Sequence, residues 1–259
     1  MKLAFLGTGN MGAALANAAA KVADNELYLV NRHPEKAQKL QEAIGGQVCD
    51  HNTAVSEADM IFLGVKPYLL SELIRGILPA LSARNPAPVV ISMAAGKTIA
   101  QIQELLDSAV PVIRIMPNTP VAVAEGMILY SCSAEITPAQ KDAFLAAMRH
   151  AGRFLEIDEH LMDAGMAISG CGPAYVDLFV EAMADAGVAC GLPRKDAIAL
   201  AAQMVLGSAK LILESGRHPG ELKDAVCSPG GTTIQGVRKL EEKGFRSAVM
   251  EAVLAAYKA

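Results

Sequence analysis

The residues of this chain best suited to chemistry fall into two glycine-rich clusters, one near each end of its 259 residues. The first, Gly7-Thr8-Gly9-Asn10-Met11-Gly12, fits G-x-G-x-x-G, follows an apolar run that ends at Leu6, and opens a segment with helical periodicity. Glycine at these places permits a tight strand-to-helix turn, close approach of the backbone to a pyrophosphate, and close packing of helix on strand. The amino terminus of the helix then faces the anion. A glycine-rich turn without a ligand is spelled the same way, and it is the position between an apolar run and a helix that favours a dinucleotide. At the end of the second apolar run, where a carboxylate would hold the adenosine ribose of NAD, stand Asn31 and Arg32. A carboxylate would repel a 2'-phosphate, whereas Asn31 can hydrogen-bond it and Arg32 can pair with it, so NADPH is expected in preference to NADH. The plainer reading makes Arg32 a solvated surface charge.

Three more loops stand where apolar runs end: Val65-Lys66-Pro67, Ala94-Ala95-Gly96 and Met116-Pro117-Asn118-Thr119-Pro120. In an open parallel sheet such loops meet the ligand, and their small or proline-fixed residues would let a flat nicotinamide approach the backbone. Whether Lys66 reaches the cofactor or only solvent is left open by spacing. The second cluster, Ser228-Pro229-Gly230-Gly231-Thr232-Thr233, precedes a helical run. Backbone N–H groups and hydroxyls converging there would suit a carboxylate, although a capped helix start looks the same in sequence. Conventional acid–base and nucleophile patterns are missing. The five histidines, at 33, 51, 150, 160 and 218, form no HxxxH or HExxH, there is no GxSxG, and they read as surface or packing groups. A hydride acceptor that brings its own proton, such as a protonated imine, would need no protein acid.

The elements that must position these clusters change character along the chain. Up to about residue 157, short aliphatic runs (Lys2–Gly7, Glu26–Asn31, Met60–Val65, Pro88–Met93, Val112–Met116, Met127–Ser131, Gly152–Ile157) alternate with helical stretches. Continuous apolar strands separated by helices predict an α/β domain with a mainly parallel, doubly wound sheet, its last connections short enough for antiparallel strands. From residue 158 to 259 only helices are expected, including Ala174–Cys190 and Pro193–Ser215, which are apolar on more than one face. Such helices need cover that a module this small cannot supply, which predicts a partner subunit. The composition agrees: 52% hydrophobic but 4% aromatic with no Trp, so aliphatic and small side chains fill the core. A net charge of -4 argues against nucleic acid as a partner. Five cysteines without CxxC argue against disulfides and metal and for a reducing, cytoplasmic setting. Lys2 with the following apolar residues imitates a secretory signal, but Gly7 to Asn10 interrupt it, and no unbroken apolar run of about 18 residues supports a membrane span.

FLGTGNMG, Val65-Lys66-Pro67, SMAAG at Ser92 to Gly96, RIMPNTP at Arg114 to Pro120, SGCGPAY at Ser169 to Tyr175, DAGVACGLPR at Asp185 to Arg194 and SPGGTT closely resemble the motifs of pyrroline-5-carboxylate reductase, in that family's order and over essentially the whole chain. The resemblance implies a Rossmann-type domain at 1–157, a helical dimerisation and substrate-binding domain at 158–259, and reduction of 1-pyrroline-5-carboxylate to L-proline by NAD(P)H in a homodimer or larger homo-oligomer. It implies cofactor contacts from Leu6, Gly7, Thr8, Gly9, Asn10, Met11, Asn31, Arg32, Val65, Lys66, Pro67, Ala94, Ala95 and Gly96. It places the substrate carboxylate at Ser228, Gly230, Gly231 and Thr232, with the Thr233 hydroxyl addressing the ring nitrogen as the catalytic group. One departure is Cys171, where the family often has Ser, which puts in doubt only a polar role for that residue. Two rival readings remain. A β-hydroxyacid dehydrogenase would need a Lys on the helix after Gly172, where none occurs before Lys195, and a catalytically silent NADPH-binding protein would not need an intact SPGGTT.

Overall fold

The computed structural model describes residues 1–107 and 109–258, which divide into two compact units, Met1–Gly170 and Cys171–Ala259. In the first, Lys2–Leu6 (β1) leads into Asn10–Ala20 (α1), followed by Glu26–Val30 (β2), Pro34–Ile44 (α2), Gln47–Val48 (β3) and His51–Glu57 (α3). Then come Met60–Leu63 (β4), Leu70–Ser82 (α4), Val89–Ser92 (β5), Ile99–Leu105 (α5) and Val112–Met116 (β6). Gly126–Cys132 (β7), Pro138–Ala147 (α6), Gly152–Glu156 (β8) and Met162–Ser169 (α7) complete the unit. The eight strands form one sheet in the order β3-β2-β1-β4-β5-β6-β7-β8. The first six are parallel, β7 runs antiparallel to β6, and β8 is parallel to β7, so the last two are reversed together.

Strands β1, β4, β5 and β6 are buried except at Lys2, and apolar but for Lys2, Ser92 and Arg114, because both faces are covered. On one side Phe5 stacks on Phe62 at 4.5 Å between ring centroids, beside the small buried residues Ala16, Ala18 and Ala19 of α1. On the other, Leu70, Ile74 and Ile77 of α4 pack on Ile61, Leu63 and Val90. Two elements escape the sequence reading for the same reason. β3 has two residues, and α3 buries only the adjacent Ala54 and Val55, so neither shows a period. What starts α3 is chemical: the Asp50 carboxylate accepts the Thr53 N–H at 2.8 Å, and this bond holds the Asp50 pKa below the usual carboxylate range.

Strands cease after Glu156, near the change of pattern at 158, yet α7 still belongs to the first unit. Met162 and Met166 of α7 pack with Leu129 of β7, and Gly165 admits that contact because a Cβ there would lie 2.4 Å from Leu129 Cδ1. Buried Arg114, in the middle of β6, reaches Glu159 and Asp163 at 3.3 Å each and ties this segment to the sheet.

The second unit is helical throughout its described residues: Gly172–Ala189 (α8), Arg194–Ser215 (α9), Pro219–Ala225 (α10), Thr232–Glu242 (α11) and Phe245–Lys258 (α12). α8 and α9 approach closely at Gly187, where a Cβ would stand 3.0 Å from that of Ala197. Among its described residues the buried hydrophobics are Ala184, Ala197 and Ala201, while Leu178, Leu200, Leu206 and Leu213 are exposed. By length and composition α9 is apolar enough to cross a membrane, although the sequence shows no unbroken apolar run.

Candidate active site

The strand order reverses beside β1, so the ends of β1 and β4 open a crevice, the usual place for a ligand in a doubly wound sheet. Gly7 has φ +106, and a Cβ on it would lie 2.5 Å from the Gly64 carbonyl oxygen; a Cβ on Gly64 would lie 2.4 Å from that of Gly7. The two loops are thus in backbone contact, and only two glycines allow it. Gly12 does the same inside the motif, since its Cβ would meet the Gly7 carbonyl oxygen at 2.1 Å. Gly9 differs: a Cβ there would have nothing within 4 Å. It caps α1 without a side-chain hydrogen bond, so the first-turn N–H groups face open space, and that is the fit a pyrophosphate requires.

The remaining predicted contacts divide by location. Leu6 is wholly buried and can offer a ligand only its backbone, whereas Asn10 is exposed and Met11 packs partly on the core. Asn31 Nδ2 donates to Thr8 Oγ1 at 2.8 Å, and Asn31 Oδ1 accepts the His33 N–H at 2.9 Å. Its amide therefore first locks the glycine turn to the end of β2 and keeps one N–H for a ligand. Gly7, Asn31, Arg32 and Val65 line one cleft of about 510 Å³. Lys66 and Pro67 open a short 3-10 turn beside it, with Lys66 exposed. After β5, Ala94 is buried, while Ala95 and Gly96 are exposed and Gly96 has φ +70.

The same cleft holds residues that sequence reasoning missed. Asp50, His51 and Asn52, at the start of α3, line it beside Arg32, with Glu72 of α4. Burial pushes the His51 pKa down against the pull of Asp50. The available signal was the cap, Asp50 with Thr53 three residues on, but the helix behind it shows no period. Asn118 was read as part of a small loop and proves to be a brace: it is nearly buried, its Nδ2 donates to the Ser169 carbonyl oxygen at 2.9 Å, and its Oδ1 accepts the Met127 N–H at 2.9 Å.

In the second unit, Ser228-Pro229-Gly230-Gly231 is a β-turn closed by Gly231 N–H donating to the Ser228 carbonyl oxygen at 3.0 Å. Proline in second place and Gly230 at φ +70 in third are what a type II turn demands. Gly231 caps α11 with no side-chain hydrogen bond, and a Cβ on it would lie 2.3 Å from Ser228 Oγ. The turn therefore brings the Ser228 hydroxyl to the uncapped helix start, where Thr232 and Thr233 are exposed. Hydroxyls and first-turn N–H groups gathered in this way can hold a carboxylate.

Along its length the chain is 42% identical to the pyrroline-5-carboxylate reductase of Escherichia coli, over 256 residues that span 97% of this chain and 94% of that one. The chain belongs to the pyrroline-5-carboxylate reductase family. The pyrroline-5-carboxylate reductase dimerisation model matches residues 159–259, and a model of NADP oxidoreductases, coenzyme F420-dependent, matches residues 2–96. Among solved structures, the Plasmodium falciparum pyrroline carboxylate reductase with NADP bound superposes with a TM-score of 0.87 at 33% identity, covering 100% of this chain and 96% of that one. The Coxiella burnetii pyrroline-5-carboxylate reductase gives 0.89 at 32%, covering 99% and 96%. Both glycine clusters thus lie in a chain that matches known reductases over nearly all of its residues, and residues 159–259 match the family's dimerisation module.

Proposed function

We infer that the chain reduces 1-pyrroline-5-carboxylate to L-proline with NAD(P)H, the last step of proline biosynthesis. A full-length match to the family, with the amino-terminal turn and SPGGTT both intact, carries this reading. The cofactor, when bound, supplies a hydride to the imine carbon. This chain's part is to bind and orient. Gly7 to Met11, with Val65 to Pro67 and Ala94 to Gly96, would hold the dinucleotide, the uncapped amino terminus of α1 being suited to its pyrophosphate. Ser228 and the N–H groups of Gly230 and Thr232 would hold the ring carboxylate, the Gly231 N–H being spent on the turn itself, while the Thr233 hydroxyl bonds the ring nitrogen and aims the imine carbon. Because the iminium brings its proton, hydride addition leaves a neutral secondary amine, and no side chain has to act as an acid.

Arg32 at the rim of the cleft supports NADPH as the preferred cofactor, with NADH also used. The exposed apolar residues of α8, α9 and α12 support a homodimer at least, and five cysteines without a CxxC pair support the cytoplasm. Following NADPH absorbance with 1-pyrroline-5-carboxylate tests the activity: oxidation in step with proline formation is expected, and none would overturn the reading. Arg32→Asp tests the preference, which should move toward NADH.

A further inference from the structure

The cleft beside Arg32 does not have the charge a 2'-phosphate dianion needs. Its lining contains one fixed cation, Arg32, and two carboxylates, Asp50 and Glu72. The remaining ionisable group in that lining is His51, which stands next to Asp50 at the start of α3. We propose that His51 is a cofactor-specificity residue: it becomes the second cation for the 2'-phosphate of NADPH and takes up a proton as that cofactor binds, but not as NADH binds. The inference rests on the cofactor preference proposed above and adds a proton to it.

The surroundings permit this. Asp50 spends a carboxylate oxygen on the Thr53 N–H, which keeps it ionised and so favours a charged neighbour. Burial disfavours the charged imidazole in the free protein, and a dianion set beside it in the cleft would favour that charge, which couples the proton to NADPH. Lys66, exposed on the turn beside the cleft, is not in its lining, and other charges on elements packed against α3 are engaged elsewhere. Lys2 pairs with Glu57 at 2.7 Å, Arg84 donates to the carbonyl oxygens of Val55, Ser56 and Ala58, and Arg75 folds onto the Ser71 carbonyl. Glu26 opens β2 at the end away from Arg32. His33 faces Glu35 at 3.7 Å and is not in the cleft lining.

The test is calorimetry of NADPH and NADH binding in two buffers of different ionisation enthalpy, combined with affinity titrations from pH 8.5 to 6.5. The wild-type protein should take up a fraction of a proton with NADPH and less with NADH. The NADPH-over-NADH affinity ratio should then rise roughly five- to tenfold as the pH falls, the scale of an ordinary coupling between two ligands. The phosphate's own titration near pH 6 is common to every variant and cancels between them. His51→Gln should lose the extra uptake and the pH slope, its affinity for NADPH falling at pH 6.5 by more than its affinity for NADH. His51→Lys should restore NADPH affinity with a flat profile. Equal uptake for both cofactors in the wild-type protein, or a full pH slope in His51→Gln, would overturn the role of His51. If instead Arg32→Asp leaves the cofactor ratio unchanged, it is the 2'-phosphate assignment that falls.

Discussion

The two units solve the problem of burial in opposite ways. The first hides Phe5, Phe62 and Phe144 completely, because a sheet covered on both faces supplies two apolar layers from one chain. The second buries only alanines among its large helices and leaves Leu178 and Leu213 about two-thirds exposed, at 67% and 65%. Exposed apolar surface on that scale marks an association site, and the second unit lies within the family's dimerisation module. The first unit therefore covers its own core, whereas the second leaves apolar surface that another copy of the chain could cover. On the function proposed above, the cofactor would be held by the first unit and the substrate carboxylate by the second.

This contrast can be broken by experiment, the largest effect being in the first core. Phe144 packs edge-to-face with Phe154 at 5.5 Å and Tyr130 at 6.1 Å. Phe144→Ala should cost about 3–5 kcal/mol in urea unfolding whatever the protein concentration. Leu213→Glu should instead dissociate the oligomer on gel filtration, costing about 2 kcal/mol or more that high protein concentration partly restores. A variant that stays fully associated would show that this face of α9 is not covered.

Thr233→Ala should keep NADPH affinity while turnover falls roughly ten- to a hundredfold, about 1.4–2.7 kcal/mol. Steady-state kinetics with unchanged kcat would remove Thr233 from the reaction. The smallest effect is a difference in thiol reactivity. Burial, with Glu156 nearby, pushes the Cys132 thiol up to about 11, so little thiolate exists at pH 8 and alkylation should be slow until the protein unfolds. Cys190 of the second unit is exposed in a single chain, so its protection from the same reagent measures how far a second chain covers it.

Much of the first unit was legible because its signals are local. Apolar runs at β1, β4, β5 and β6, each followed by a glycine or proline loop, predict strands with ligand-binding ends, and periodicity places most of the helices between them. The sequence cannot say that Gly64 stands against Gly7, since that contact joins loops far apart in the chain. Nor does it show that Asn31 binds Thr8, or that Asn118 braces Met127 and Ser169, because a polar residue in a loop reads the same whether it meets a ligand or a backbone. His51 was read as a surface or packing group for a related reason: without its cap and its cleft, a lone histidine carries no address.

By itself the sequence determined the order of most strands and helices, the two glycine clusters, and the shortage of self-cover in the second unit, because periodicity and turn chemistry act over a few residues. The tertiary structure decided the rest: the paired reversal of β7 and β8, the attachment of α7 to the sheet unit, and the meeting of Arg32, Asp50, His51 and Glu72 in one cleft. Those outcomes depend on which distant segments share a face and on the net charge they create together, and neither quantity exists until the chain has folded.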